Sequence, residues 1–358
     1  MINLSINTVN AVNTINKIHP RKYLKIHTSN VNEKDKPMID FVRTPDEQFK
    51  RLPNYSFSPN YIDIDGLRMH YVDEGDSSAD PVLMMHGEPT WSYLYRHMIP
   101  ICAAAGHRVI APDLIGFGKS DKPTNKSDYS YQTHMDWMTA FIEKLDLKNI
   151  TLVCQDWGSL LGLRLAAENE HRFKAIVIGN GGLPTGDKAP PKAFKIWKTF
   201  ALNSPWFPIA RVVDSGSFKK LSKDERRAYD APFPNKKYKV GARTFPALVP
   251  VSPNDPAAPA NIKAWEVLEK WQKPFLTTFS NGDPITRGGD KFLQAKIPGT
   301  KGLAHKTLVG GHFLQEDSGR EFAQAVNELL ASEALNNSEA LNNSEALNNS
   351  EVAMSEAI

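Results

Sequence analysis

A chain of 358 residues, 41% hydrophobic and 23% charged, has enough apolar side chains for one large or two ordinary soluble domains. Its net charge of +3 comes from Lys and Arg scattered among Asp and Glu, so no basic stripe points to nucleic acid or an anionic membrane. No run of about 18 apolar residues is present to cross a bilayer.

Residues 1–37 contain no Asp or Glu before Glu33 and show neither a continuous apolar core nor a clear amphipathic repeat. They read as a disordered leader, with Met38 as an alternative start. Tyr61 to Ile64 and Leu67 to Val72 alternate apolar with polar residues around Asp65-Gly66, the signature of a hairpin at a sheet edge. Val82 to Met85 is continuously apolar, as in a strand covered on both faces, and runs into His86-Gly87-Glu88-Pro89-Thr90-Trp91. A helix over 98–105, closed by Gly106, leads to a second such strand at Arg108 to Ala111. Met135, Met138, Phe141, Ile142 and Leu145 recur at helical spacing, which makes 132–144 an amphipathic helix.

Next comes Thr151-Leu-Val-Cys-Gln-Asp-Trp-Gly158, an apolar strand that breaks and restarts as the helix carrying Leu160, Leu161, Leu163 and Leu165. That layout is a nucleophile elbow, with Asp156 at the tip where a serine is more familiar. A carboxylate that attacks a saturated carbon leaves an alkyl ester, whose carbonyl water can then attack to free the enzyme. A serine would leave an ether and stop. Asp156 therefore points to an alkyl halide or an epoxide. Taken alone, it would read as a helix N-cap.

Ala175 to Gly179 is the next strand, after which the rhythm fails: twelve of the 25 prolines lie between Gly181 and Ala260, so this stretch reads as an inserted cap. The alternation resumes at Phe275 to Phe279, ending in Asn281-Gly282-Asp283-Pro284, and at Lys306 to Val309, ending in Gly310-Gly311-His312-Phe313. Phe322, Ala325, Val326 and Leu329 form a closing helix. From Ser332 the unit Ser-Glu-Ala-Leu-Asn-Asn occurs three times before a degenerate fourth copy, a period that fits no helical stripe. The expected class is α/β, a mostly parallel sheet with helices on both faces and a helical cap. The expected division is leader 1–37, main domain 38–182, cap 183–262, main domain 263–331 and low-complexity tail 332–358.

Asp156, Asp283 and His312 follow strands in the chain order nucleophile, acid, histidine, the order of the α/β-hydrolase triad. With those motifs the chain from about Met38 to Leu330 resembles the haloalkane dehalogenases, and in particular the subfamily with its acid after the seventh strand. The matching stretches are His86-Gly87-Glu88-Pro89-Thr90-Trp91, Gln155-Asp156-Trp157-Gly158, Ala231-Pro232-Phe233-Pro234 with Phe245-Pro246, and Gly311-His312-Phe313-Leu314-Gln315-Glu316. The resemblance implies Asp156 as nucleophile, His312 as the base that activates water, and Asp283 as its orienting acid. It also implies the amides of Glu88 and Trp157 as an oxyanion hole, the indoles of Trp157 and Trp197 as halide donors, and Phe194, Leu160, Phe245, Pro246 and Val249 as the lining of an apolar pocket. Relatives in the subfamily usually carry glycine where this chain has Ser159, a difference expected to touch packing at the elbow and not the reaction.

The rival reading is an epoxide hydrolase, with Tyr229 and Tyr238 of the cap as proton donors to an alkoxide. A non-catalytic ligand receptor is the alternative from another class. No metal or organic cofactor is expected. The expected ligands are a small apolar halogenated substrate and a halide ion, with no nucleic acid and no membrane. The only two cysteines, Cys102 and Cys154, read as reduced core thiols. A cytoplasmic monomer is expected.

Overall fold

The computed structural model describes residues 39–332. The expected leader, and the expected tail beyond Ser332, lie outside the described residues. The central sheet has eight strands: β1 (Asn60–Ile64), β2 (Leu67–Glu74), β3 (Pro81–Met85), β4 (Arg108–Pro112), β5 (Ile150–Gln155), β6 (Phe173–Gly179), β7 (Phe275–Ser280) and β8 (Lys306–Leu308). Their spatial order is β8-β7-β6-β5-β3-β4-β2-β1. Strands β3 to β8 are mutually parallel, and β2 is antiparallel to both β4 and β1. The β1–β2 hairpin turns on Asp65 and Gly66, both at positive φ (53° and 80°), the backbone of a two-residue turn that follows strand twist.

Strand side chains alternate between two cores, which is why β3 is a continuous apolar run and β5 is buried throughout. Leu83, Met85, Leu152 and Cys154 face α2 (Tyr131–Lys144) and α3 (Trp157–Glu168). Val82, Met84 and Val153 face α1 (Ile99–Ala104) and a closing helix, 314–332. Both cysteines are buried free thiols.

Between β6 and β7 lie α4 (Lys192–Asn203), α5 (Ile209–Gly216), α6 (Lys223–Asp230), α7 (Val240–Leu248) and α8 (Ala258–Leu268). Pro191 and Pro208 precede α4 and α5 and Pro259 lies in the first turn of α8, where a proline breaks least, whereas Pro246 lies inside α7. Helix α6 opens with a Ser222–Glu225 capping box. The expected cap boundary at 262 falls inside α8. Ala264 and Leu268 of that helix join the core beneath α3, and Asn261 Nδ2 and Trp265 Nε1 donate to the carbonyls of Pro184 and Leu183 at 2.8 Å each. Helix α8 thus packs on α3 across the expected boundary. A buried cluster fastens the cap below: Arg96 donates to Glu316 of the closing helix and, at 3.0 Å, to Glu225 of α6, while the Tyr229 hydroxyl bonds Glu316. Removing one member of such a cluster would leave a buried charge short of its partner.

Candidate active site

The loops that follow β3, β5, β6, β7 and β8 meet at one end of the sheet, where open α/β sheets hold their ligands. Asp156 links β5 to α3 with φ 48° and ψ −126°, a conformation that costs energy for a residue with a side chain and turns that side chain outward. It makes no capping bond to α3, so the N-cap reading does not apply. The carboxylate instead accepts the Glu88 N–H at 2.7 Å on Oδ1 and places Oδ2 3.5 Å from His312 Nε2. The turn packs directly on the end of β3. A Cβ on Gly158 would stand 1.9 Å from the Met85 carbonyl, and one on Gly87 would stand 2.4 Å from Asp156 Oδ1. Only glycine fits either place.

His312 Nδ1 lies 3.2 Å from Asp283 Oδ1. Asp283 is further held by the Ile285 amide at 2.9 Å, the Thr286 amide at 3.2 Å and the Thr286 hydroxyl. Burial pushes the Asp283 carboxyl up, but the imidazolium and these donors outweigh it and hold the group at about 2. Burial works against the charged form of His312 too, yet the two carboxylates raise it to about 10. For Glu88, burial and then the Asp156 charge push in one direction, and its carboxyl lies well above the usual range.

The site opens into a cavity of about 980 Å³ lined by Glu88, Asp156, Trp157, Trp197 and His312. Leu160, Phe194, Pro246 and Val249 stand on its wall as expected of pocket residues. Phe245 does not. It is fully buried behind Trp157, with ring centroids 4.5 Å apart, and it also touches Phe117 and His134. Its contribution is to support the Trp157 indole from the core side. Trp157 begins α3, so its amide is among those with no acceptor within the helix. Trp197, on α4, packs against Phe200 and Phe207 and shares the cavity wall with Glu88. Among the described residues no group of three or more His, Cys, Asp or Glu side chains is arranged to hold a metal.

Sequence reasoning missed the frame that aligns these groups. Asn180, at the end of β6, is fully buried; its Nδ2 lies 2.9 Å from Ser280 Oγ and 2.8 and 3.0 Å from the carbonyls of Gly311 and His312. Its Oδ1 accepts the Ser280 amide at 2.8 Å, and its carbonyl accepts the Asp156 amide at 3.0 Å. Gln155 Nε2 adds a bond to the His312 carbonyl at 3.0 Å. An Asn directly after an apolar strand was the available signal, since that residue type tolerates the positive φ of 36° found here. Ser159 bridges the same region, donating to the Asp156 carbonyl at 2.6 Å and accepting the Gly182 amide at 2.9 Å. Asn180→Ala should cost about 1–3 kcal/mol of stability by stranding buried partners, read from denaturant midpoints, and should lower turnover by loosening the His312 loop.

Comparisons with known proteins show which family the chain resembles as a whole. The family model for the alpha/beta hydrolase fold matches residues 80–241. A haloalkane dehalogenase of Psychrobacter cryohalolentis is 54% identical over 298 residues, covering 82% of this chain and 98% of the relative. One of Mycobacterium marinum is 50% identical over 293 residues, covering 80% and 99%. Among solved structures, the tetrameric haloalkane dehalogenase DpaA from Paraglaciecola agarilytica matches with a TM-score of 0.75 at 40% identity, over 80% of this chain and 97% of that one.

Proposed function

We propose, for a chain that belongs to the haloalkane dehalogenases of the α/β-hydrolase fold, that Asp156 carries the reaction as its nucleophile. The activity is hydrolysis of a carbon–halogen bond, from haloalkane and water to alcohol, halide and a proton. The supporting observation is the Asp156 carboxylate itself, turned out on a strained elbow with Oδ1 bound to the Glu88 amide and Oδ2 left facing the cavity and His312.

In the first step Oδ2 displaces the halide from the carbon, the electron pair of the broken bond leaving on the halide. The indole N–H groups of Trp157 and Trp197 receive that anion in a largely apolar cavity, where a hydrogen bond counts for more than in water. In the second step water attacks the Asp156 carbonyl carbon, with the developing oxyanion on Oδ1 against the amides of Glu88 and Trp157. His312 Nε2 takes the water proton, and Asp283 holds the resulting imidazolium. Alkylation turns Asp156 from an anion into a neutral ester and so removes one of the two charges that raise His312. The imidazole shifts toward its neutral form at the stage that needs a base.

An epoxide would leave as an alkoxide and need a proton from the cap. Tyr229 is fully buried with its hydroxyl on Glu316, and neither it nor Tyr238 lines the cavity. Bromide release from 1,2-dibromoethane, with no diol formed from styrene oxide, tests the assignment. Tyr229→Phe should keep bromide release within about threefold while lowering stability by about 1–3 kcal/mol through loss of its bond to Glu316. Diol formation that Tyr229→Phe abolishes would overturn the halide reading of the site.

The cellular setting is proposed as the cytoplasm, in keeping with two buried free thiols. The molecule is proposed to be a monomer, which sedimentation would measure against the tetramer described for the Paraglaciecola relative.

A further inference from the structure

Only the backbone of Glu88 has a part in the reaction above, yet its side chain also has an unusual position. The residue is 4% exposed, lines the cavity, and buries Oε1 without a hydrogen-bond partner. Trp197 on α4 stands on the same cavity wall, and the charged groups acting on the carboxyl are Asp156 at the elbow and His312 on the loop after β8. In the free enzyme the anion beside Glu88 is Asp156. Once Asp156 is alkylated, that charge has passed to the halide. An ionised Glu88 would therefore face an anion at every stage, in a place too buried for water to screen the repulsion.

We propose that Glu88 is a halide-site residue acting as a neutral acid: protonated, it offers its O–H and leaves the Trp197 indole N–H to the halide; ionised, it claims that N–H and expels the anion. The proposal rests on the placement of the halide at Trp157 and Trp197. The proton leaves to solvent and returns before the next halide is formed, and no bond other than O–H breaks. Burial and the Asp156 charge both favour the acid form of the carboxyl. The proton that each turnover produces is the one His312 takes from water; the Glu88 proton is exchanged with solvent and none is consumed.

The test is bromide binding to the His312→Gln chain, followed by tryptophan fluorescence and calorimetry from about pH 6 to about pH 10, a range that includes the values reached by buried glutamates. The His312 substitution removes the other titrating group of the site. Above the ionisation of Glu88 the dissociation constant should rise toward about tenfold per pH unit. In the same range bromide should bring up to one proton with it, seen as heat that differs between buffers of unlike ionisation enthalpy. Adding Glu88→Gln, which keeps a donor and cannot ionise, should flatten both effects. A slope unchanged by Glu88→Gln, or bromide binding without proton uptake across the range, overturns the proposal. The proton count requires no change at residue 88, so it decides the matter even if that variant does not fold. Trp197→Phe separates the two readings: bromide binding that is indifferent to it removes the halide placement and this proposal together. Binding that it weakens, with no effect of Glu88→Gln, removes only the role of Glu88.

Discussion

Asp156→Asn should lower bromide release from 1,2-dibromoethane by about 10⁴-fold or more, the scale on which loss of a nucleophile is felt, while the fold stays intact. The side chain makes no capping bond, so α3 loses no partner. Asparagine tolerates the positive φ of the elbow about as well as aspartate does. Its amide oxygen can still accept the Glu88 N–H, and what disappears is the negative charge that attacks carbon. One further consequence can be read without any turnover. His312 is raised to about 10 by two carboxylates, and with one neutralised its titration should move down, as the imidazole proton resonances would report. Near-normal bromide release with a shifted His312 would mean that the nucleophile lies elsewhere.

The strands, and the meeting of Asp156, Asp283 and His312 at their ends, were legible because their signals are local. A strand covered on both faces is buried throughout and mostly apolar, as β3 and β5 are, and a side chain that faces a ligand has to stand where such a run stops. Phe245 shows the limit of that reasoning, since an apolar ring in the cap has the same chemistry facing a cavity or facing Trp157 from behind. Tyr229 shows it again. Its hydroxyl was available on paper as a proton donor, and only the approach of α6 to the closing helix commits it to Glu316. The role of Asn180 depends on four strand ends converging, and nothing within a few residues of it in the chain records Ser280, Gly311 or His312. The end of the cap is hard to read from the chain for a related reason. Proline density marks where the regular alternation stops, but the return to the main body is set by Ala264 and Leu268 entering a core built by α3, a hundred residues earlier.

His312→Gln should separate the two halves of the reaction. Displacement of halide needs the Asp156 carboxylate and the indole donors, none of which is altered, so 1,2-dibromoethane should yield a burst of about one bromide per active site and then stop. Glutamine cannot take a proton from water, so the ester persists and intact-protein mass should rise by one bromoethyl group, located on Asp156 by peptide mapping. The pH profile of stability should change in step. Asp283, depressed from 3.8 to about 2, contributes stability that is present above 3.8 and lost as the pH falls toward 2. His312, raised from 6.5 to about 10, contributes stability that is present below 6.5 and lost as the pH rises toward 10. With glutamine at 312 the alkaline loss should vanish and the acid loss should shrink, because Asp283 keeps only its bonds to Ile285 and Thr286. A receptor built on this fold would show the same change in its stability profile and no adduct. The mass shift, not the stability, is therefore what ties Asp156 and His312 to successive steps of one reaction, and a burst present in His312→Gln but absent in Asp156→Asn would fix their order.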